Sequence, residues 1–204
     1  TFVLLLVGSI GYIGLQERLN INKQFDAQYV EQIAQLHDKE ETLDLAIEFG
    51  FDPIIVQVTQ QLAKDAFLEH ACQSCSTWRW IKTDKELTYV ILSIIAIESR
   101  GNYQATNQGG YAGIGLTQLV LSTARMYDKD VQQSELLTIP KNLQIAMKYF
   151  IDLLERFHGN SAIAVIAWNR GPNGVDRLFA LGQSPENGYT MKVFTQAALR
   201  NANR

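Results

Sequence analysis

Glu98 carries the strongest chemical signal in this chain. Leu87, Val90, Ile91, Ile94 and Ile95 recur at steps of three and four residues, the spacing of a buried helical stripe. The next position on that stripe is Glu98. A carboxylate facing a core is costly unless it is paired or protonated. Gly101 follows shortly, so Glu98 falls in the last helical turn, where the helix dipole disfavours negative charge. Desolvation and the dipole both raise the pKa. A carboxyl that holds its proton near neutrality can serve as a general acid. The structural alternative is a buried acid bonded to a backbone turn or to an arginine.

Other residues with chemical potential give weaker signals. Cys72 and Cys75 form C-x-x-C. A zinc site needs four ligands and only His70 is near; a c-type haem motif needs His where Ser76 stands. The expectation is a local disulfide or two thiols without catalytic duty. Gly101, Gly109, Gly110, Gly113 and Gly115 make a glycine-rich loop without the preceding strand or the Lys-Ser/Thr ending of a phosphate-binding loop. These glycines suit tight turns or close backbone approach to a ligand. Trp78 and Trp80 are expected to pack at a domain edge rather than stack on a sugar. No metal or cofactor is expected. A net charge of −3 and the lack of any Lys/Arg run exclude a nucleic-acid binder.

The elements that must position Glu98 read as helices almost throughout. Residues 26–49 carry Val30, Ile33, Leu36, Leu43 and Ile47, with Gly50 as a stop. Asp52-Pro53 starts a helix by cap and first-turn proline. Thr83-Asp84-Lys85-Glu86 is a capping box that opens the helix ending at Glu98. A short helix is expected over 116–127, and a long one after Pro140 that buries Leu143, Met147, Phe150 and Leu154 and stops near Gly159. Ser161 is expected to cap a helix over 162–169, ended by Gly171-Pro172, and a last helix covers 189–200. No alternating strand pattern stands out, so the expected class is all-α.

The N-terminus differs. Residues 1–16 (TFVLLLVGSIGYIGLQ) carry no charge and are apolar all round. A retained signal anchor is expected there, with a cleaved signal peptide as the alternative. An anchor would place the remainder outside the cytoplasm. The expected organisation is an anchor over 1–16, a helical region over 17–82 and a catalytic domain over 83–204.

Four blocks in order resemble the lytic transglycosylases, the lysozyme-like enzymes that cleave peptidoglycan. Ile94-Ile95-Ala96-Ile97-Glu98-Ser99, then Gly101-Asn102, resembles the family's catalytic signature. Gly115-Leu116-Thr117-Gln118-Leu119 resembles its Gly-Leu-Met-Gln block, Ala167-Trp168-Asn169-Arg170-Gly171-Pro172 its Ala-Tyr-Asn-Ala-Gly-Pro block, and Tyr189-Thr190-Met191-Lys192-Val193 its Tyr-Val-x-Lys-Val block. The first block and the run 143–155 resemble the membrane-bound, endo-acting branch. The chain departs from the pattern at Thr117, Leu121 and Trp168, where the family has Met, Pro and Tyr, and at Tyr103, which follows Asn102 in place of Pro.

The resemblance implies a lysozyme-like all-α domain in which Glu98 is the only catalytic carboxyl. Glycosidases generally employ two carboxylates. Asp128, Asp130 and Asp152 lie outside the blocks and read as solvated surface charges. One acid suffices if the substrate supplies the nucleophile, here the muramoyl C6 hydroxyl, which closes onto C1 and leaves a 1,6-anhydro end. Ser99 would orient the acid, or else cap the helix. Gln118 and the backbone near Gly115 would bind sugar N-acetyl groups, Trp168 and Asn169 would line the wall, and Tyr189 would place its hydroxyl near the reacting sugar. The implied partners are peptidoglycan glycan strands, a membrane through the N-terminal segment, and an envelope complex such as secretion or phage machinery. A lysozyme-type muramidase and a glycan-binding module that does not cut are the alternatives.

Overall fold

The computed structural model describes residues 38–70, 78, 81–107 and 112–201. The chain divides into two compact units, Thr1–Asp44 and Leu45–Arg204. Residues 38–49 are helical (α1). In the first unit, Thr42 donates its hydroxyl to the Asp38 carbonyl at 2.7 Å. In the second, Leu45, Ala46 and Phe49 are buried. Gly50 ends the helix at a φ of +68°, where an L side chain would be strained.

The second unit holds the core. Helix α2 (Pro53–His70) starts where Asp52 accepts the Ile54 N–H at 3.0 Å. Helix α3 (Asp84–Glu98) starts at a complete capping box. Thr83 Oγ1 accepts from Glu86 N at 3.2 Å, and the Glu86 carboxylate accepts from Thr83 N at 3.0 Å. Such a cap contributes about 1 kcal/mol.

The expected stripe on α3 is too narrow a description. Every residue from Leu87 to Ile95 is buried, Thr88 and Ser93 included. A helix covered on all sides is a central helix rather than a surface one. Helix α2 packs against it on one side and α9 (Tyr189–Asn201) on another. The remaining long elements are α6 (Ile139–Arg156), α7 (Ser161–Arg170) and α8 (Pro172–Ala180). Contacts run from α3 to α2, α2 to α6, α6 to α7, α7 to α9, and α9 back to α3. These five helices therefore close a ring, and α8 packs on α7.

The fold is mostly helical, with corrections in detail. In place of the expected helix over 116–127 stands a hairpin, β1 (Gly113–Ile114) against β2 (Leu119–Val120), followed by the single turn α4 (Leu121–Ala124). The pairing is antiparallel, with Gly113 opposite Val120 and Ile114 opposite Leu119. Gly115, at φ +74°, and Gln118, at φ +52°, take left-handed backbone that a helix does not use. Helix α5 (Gln133–Leu136) was not expected. Asn160, not Ser161, caps α7, its side chain accepting from Ile163 N at 3.2 Å. Gly171-Pro172 ends α7 as expected, and it also starts α8.

Trp78 is buried as expected, its ring edge-on to Phe67 at 5.4 Å. Among the described residues, no helix is long and apolar enough to cross a membrane. The anchor expected over 1–16 lies outside the described residues, as do residues 17–37, Cys72, Cys75, Trp80, Gly109 and Gly110.

Candidate active site

Glu98 is the last residue of α3, half-buried where the central helix emerges from the core. Helix α9 packs beside α3 and brings in Tyr189, its first residue, from 91 positions downstream. The Tyr189 hydroxyl donates to Glu98 Oε1 at 2.5 Å. Burial pushes the Glu98 carboxyl above its ordinary value of 4.5, and the Tyr189 hydrogen bond opposes that shift. Burial is the larger influence, so the net direction is upward. Burial, the Glu98 charge and the hydrogen bond together hold the Tyr189 hydroxyl far above its usual range. Tyr189 is therefore a hydrogen-bond donor at all working pH values, and not a proton source. Because it occupies Oε1, a proton on Glu98 belongs on Oε2. Among the described residues, no group bonds Oε2.

The segment before α9 is held by polar side chains. Glu186 Oε1 accepts from Asn187 N at 2.9 Å and Gly188 N at 2.7 Å. Asn187 Oδ1 accepts from Tyr189 N at 3.2 Å, and Asn187 Nδ2 donates to Asn169 Oδ1 at 2.8 Å. Asn169 is thus linked to the acid through Asn187 and Tyr189. Sequence reasoning missed Asn187. Its one signal is an Asn-Gly pair just ahead of a helix start.

The hairpin carrying Gln118 is pinned by α6. Asn142, fully buried, donates through Nδ2 to the Ile114 and Leu136 carbonyls at 2.9 Å each. Its Oδ1 accepts from Thr117 N at 3.1 Å and Thr117 Oγ1 at 2.7 Å. All four bonding positions of the amide are used. Thr117, where the family has Met, therefore supplies one of the bonds holding the hairpin to α6. A Cβ on Gly115 would collide with the Leu136 carbonyl oxygen at the end of α5 and with the Asn142 amide of α6, so only glycine lets this loop approach both. Gln118 itself folds back, its Nε2 donating to Gly115 O at 2.8 Å and Ala105 O at 3.2 Å. Gly115 N in turn donates to Ala105 O at 2.8 Å, tying the hairpin to the loop that leaves Glu98.

Of the remaining expected site residues, Ser99 ends α3 and donates weakly to the Ile95 carbonyl at 3.4 Å, which matches the capping alternative. Trp168 is half-buried against Tyr149 and Phe150, with ring centroids at 5.2 and 6.2 Å. Of the other carboxylates, Asp130 and Asp152 are exposed as expected, and Asp128 is not a simple solvated charge. Asp128 pairs with Lys141 at 2.5 Å, and both are part-buried. Asp152 accepts the Tyr127 hydroxyl at 2.7 Å. Among the described residues, no group of three or more His, Cys, Asp or Glu gathers to hold a metal.

The geometry is that of one desolvated acid, one oxygen of which is held by a tyrosine while the other is open. The family model for the transglycosylase SLT domain matches residues 78–188, more than half of the chain. The chain belongs to this family. No solved structure matches it. Membership carries an enzyme of transglycosylase type that acts on peptidoglycan glycan strands. The match spans Glu98, Gln118, Trp168, Asn169 and Asn187 and ends one residue before Tyr189.

Proposed function

We propose that this SLT-domain protein is a peptidoglycan lytic transglycosylase that cleaves the β-1,4 bond between N-acetylmuramic acid and N-acetylglucosamine, with Glu98 as sole acid and base. The carrying observation is the Glu98 carboxyl: its pKa is raised by burial, Tyr189 occupies Oε1, and Oε2 is left for a transferable proton. In the first half of the reaction the Oε2 proton passes to the bridging oxygen, and the bond from that oxygen to muramoyl C1 breaks. The carboxylate then accepts the proton of the muramoyl C6 hydroxyl as its oxygen bonds to C1. The products are a free N-acetylglucosamine hydroxyl and a 1,6-anhydro-muramoyl end. No water is consumed, and Glu98 regains its proton. Tyr189 stabilises the carboxylate between the two transfers.

In this reading the hairpin bearing Gln118 and the wall bearing Trp168 hold the glycan, and Ser99 sets the helix end on which Glu98 sits. The protein acts at the cell envelope, and the uncharged residues 1–16 support anchoring there. The test is digestion of purified sacculi by the full chain, followed by mass analysis of the released muropeptides. Ends lacking one water relative to a hydrolysed end are expected. Ends carrying that water would make the protein a muramidase, and binding without cleavage would make it a glycan-binding module.

A further inference from the structure

Tyr189 must meet Glu98 closely, yet the segment that delivers it has little packing of its own. Positions 181–188 are all exposed except Pro185. The phenol ring of Tyr189 is buried, which restrains it laterally. Its reach along the ring axis, toward Glu98, depends on where the start of α9 sits. Hydrogen bonds weaken steeply with distance and angle, and a displacement near 1 Å at a reacting group can cost roughly 100-fold in rate. Buried Tyr189, Thr190 and Val193 seat the first turn of α9, but the exposed segment that leads into it has to be fixed by polar contacts.

Three hydrogen bonds converge on Asn187. Its backbone N–H goes to Glu186, its side-chain oxygen takes the first N–H of α9, and its side-chain nitrogen reaches Asn169 at the end of α7. The last of these runs from the segment just before α9 to α7, on which α9 packs. It ties the start of α9 to the end of a helix anchored by buried Ala164, Val165, Ile166 and Ala167.

We propose that Asn187 is a positioning residue that, latched to Asn169, sets the reach of the Tyr189 hydroxyl to Glu98. This rests on the reading of Glu98 as the reacting acid. It gives Asn169 a role distinct from sugar contact: its amide oxygen is engaged by the protein. Asn187→Ala removes both ends of the latch, and Asn169→Ala removes only the acceptor. Both residues are exposed, so truncation opens no core cavity.

The test is a 13C titration of the Glu98 carboxyl in the full chain, with folding of each variant checked by circular dichroism. Burial and the Tyr189 hydroxyl are the influences on that carboxyl, and among the described residues no charged group on α2, α3, α7 or α9 adds to them. Loosening Tyr189 must therefore raise the midpoint. An upward shift is expected in Asn187→Ala and Asn169→Ala alike, no larger in the double variant, and absent when Tyr189 is already Phe. Kinetics on sacculi should show kcat down roughly threefold to tenfold with KM little changed, well short of the roughly 100-fold or more lost with the acid itself. An unmoved midpoint in both variants overturns the proposal. So does an equal shift in the Tyr189→Phe background, or a raised KM at unchanged kcat, which would return Asn169 to sugar binding. The titration needs no turnover, so a protein that fails to form anhydro ends refutes the transglycosylase reading while the midpoints still decide for or against the latch. If Asn187→Ala does not fold, Asn169→Ala decides.

Discussion

The acid end of α3 and the hairpin beside α6 solve opposite problems. At the hairpin, buried Asn142 uses every bonding position of its amide on Thr117, Ile114 and Leu136. At the acid, the Glu98 carboxyl has one hydrogen bond among the described residues, from Tyr189, and Oε2 is left open. A loop that must not move is held by a saturated buried network, which is costly to break. A group that must gain and lose a proton needs an unsaturated one. Substitutions at the hairpin should therefore appear in stability, and substitutions at the acid should appear in rate.

The largest effect should come from Glu98→Gln, which keeps shape and removes the proton. Cleavage of sacculi should fall by about 100-fold to 10,000-fold, the range for general acid–base groups, while glycan binding persists. Cleavage at wild-type rate would remove the contrast altogether. The same variant should not lose stability. Because the folded-state pKa of Glu98 lies above its unfolded value, its stabilising contribution is whole below about 4.5 and is lost as pH rises through the folded-state value. The Tm of Glu98→Gln relative to wild type should therefore rise between pH 4 and pH 7 in paired thermal melts.

Asn142→Ala should show the reverse pattern. It strands two buried carbonyls and the Thr117 donors, for a loss of about 2–4 kcal/mol in denaturant unfolding. Gly115→Ala should cost a similar amount, about 2–3 kcal/mol, from left-handed strain together with the contact on the Leu136 carbonyl. A smaller effect is expected for Tyr189→Phe, with kcat down roughly tenfold, as for loss of a hydrogen bond to a charged group. In that variant the alkaline limb of the pH–rate profile should move up, since the opposing influence on Glu98 is gone. Thr117→Val, which removes one hydroxyl bond and leaves the backbone bond, should be the mildest at about 1 kcal/mol.

The difference between these regions also explains what the sequence disclosed. Local chemistry was legible. The Asp52-Pro53 start, the Thr83–Glu86 box and the Gly50 stop act over three or four residues, and the structure shows each of them. Glu98 was legible because a charge at the end of so apolar a helix is conspicuous. The hairpin was not, since strands of two residues carry no period to read. Helix α8 was hidden because Gly171-Pro172 reads as a stop, although a proline is equally at home in a first turn. Side-chain destinations were the least legible. Gln118 folding onto its own loop, and Asn169 meeting Asn187, depend on which segments the tertiary fold brings together.

The central claim is that burial outweighs Tyr189 and leaves Glu98 a proton to give. The 13C titration of its carboxyl in the unmodified, substrate-free protein measures this most directly. A midpoint clearly above 4.5, rising further in Tyr189→Phe, is what the account predicts. A midpoint at or below 4.5 would mean that burial does not outweigh Tyr189, and would contradict it.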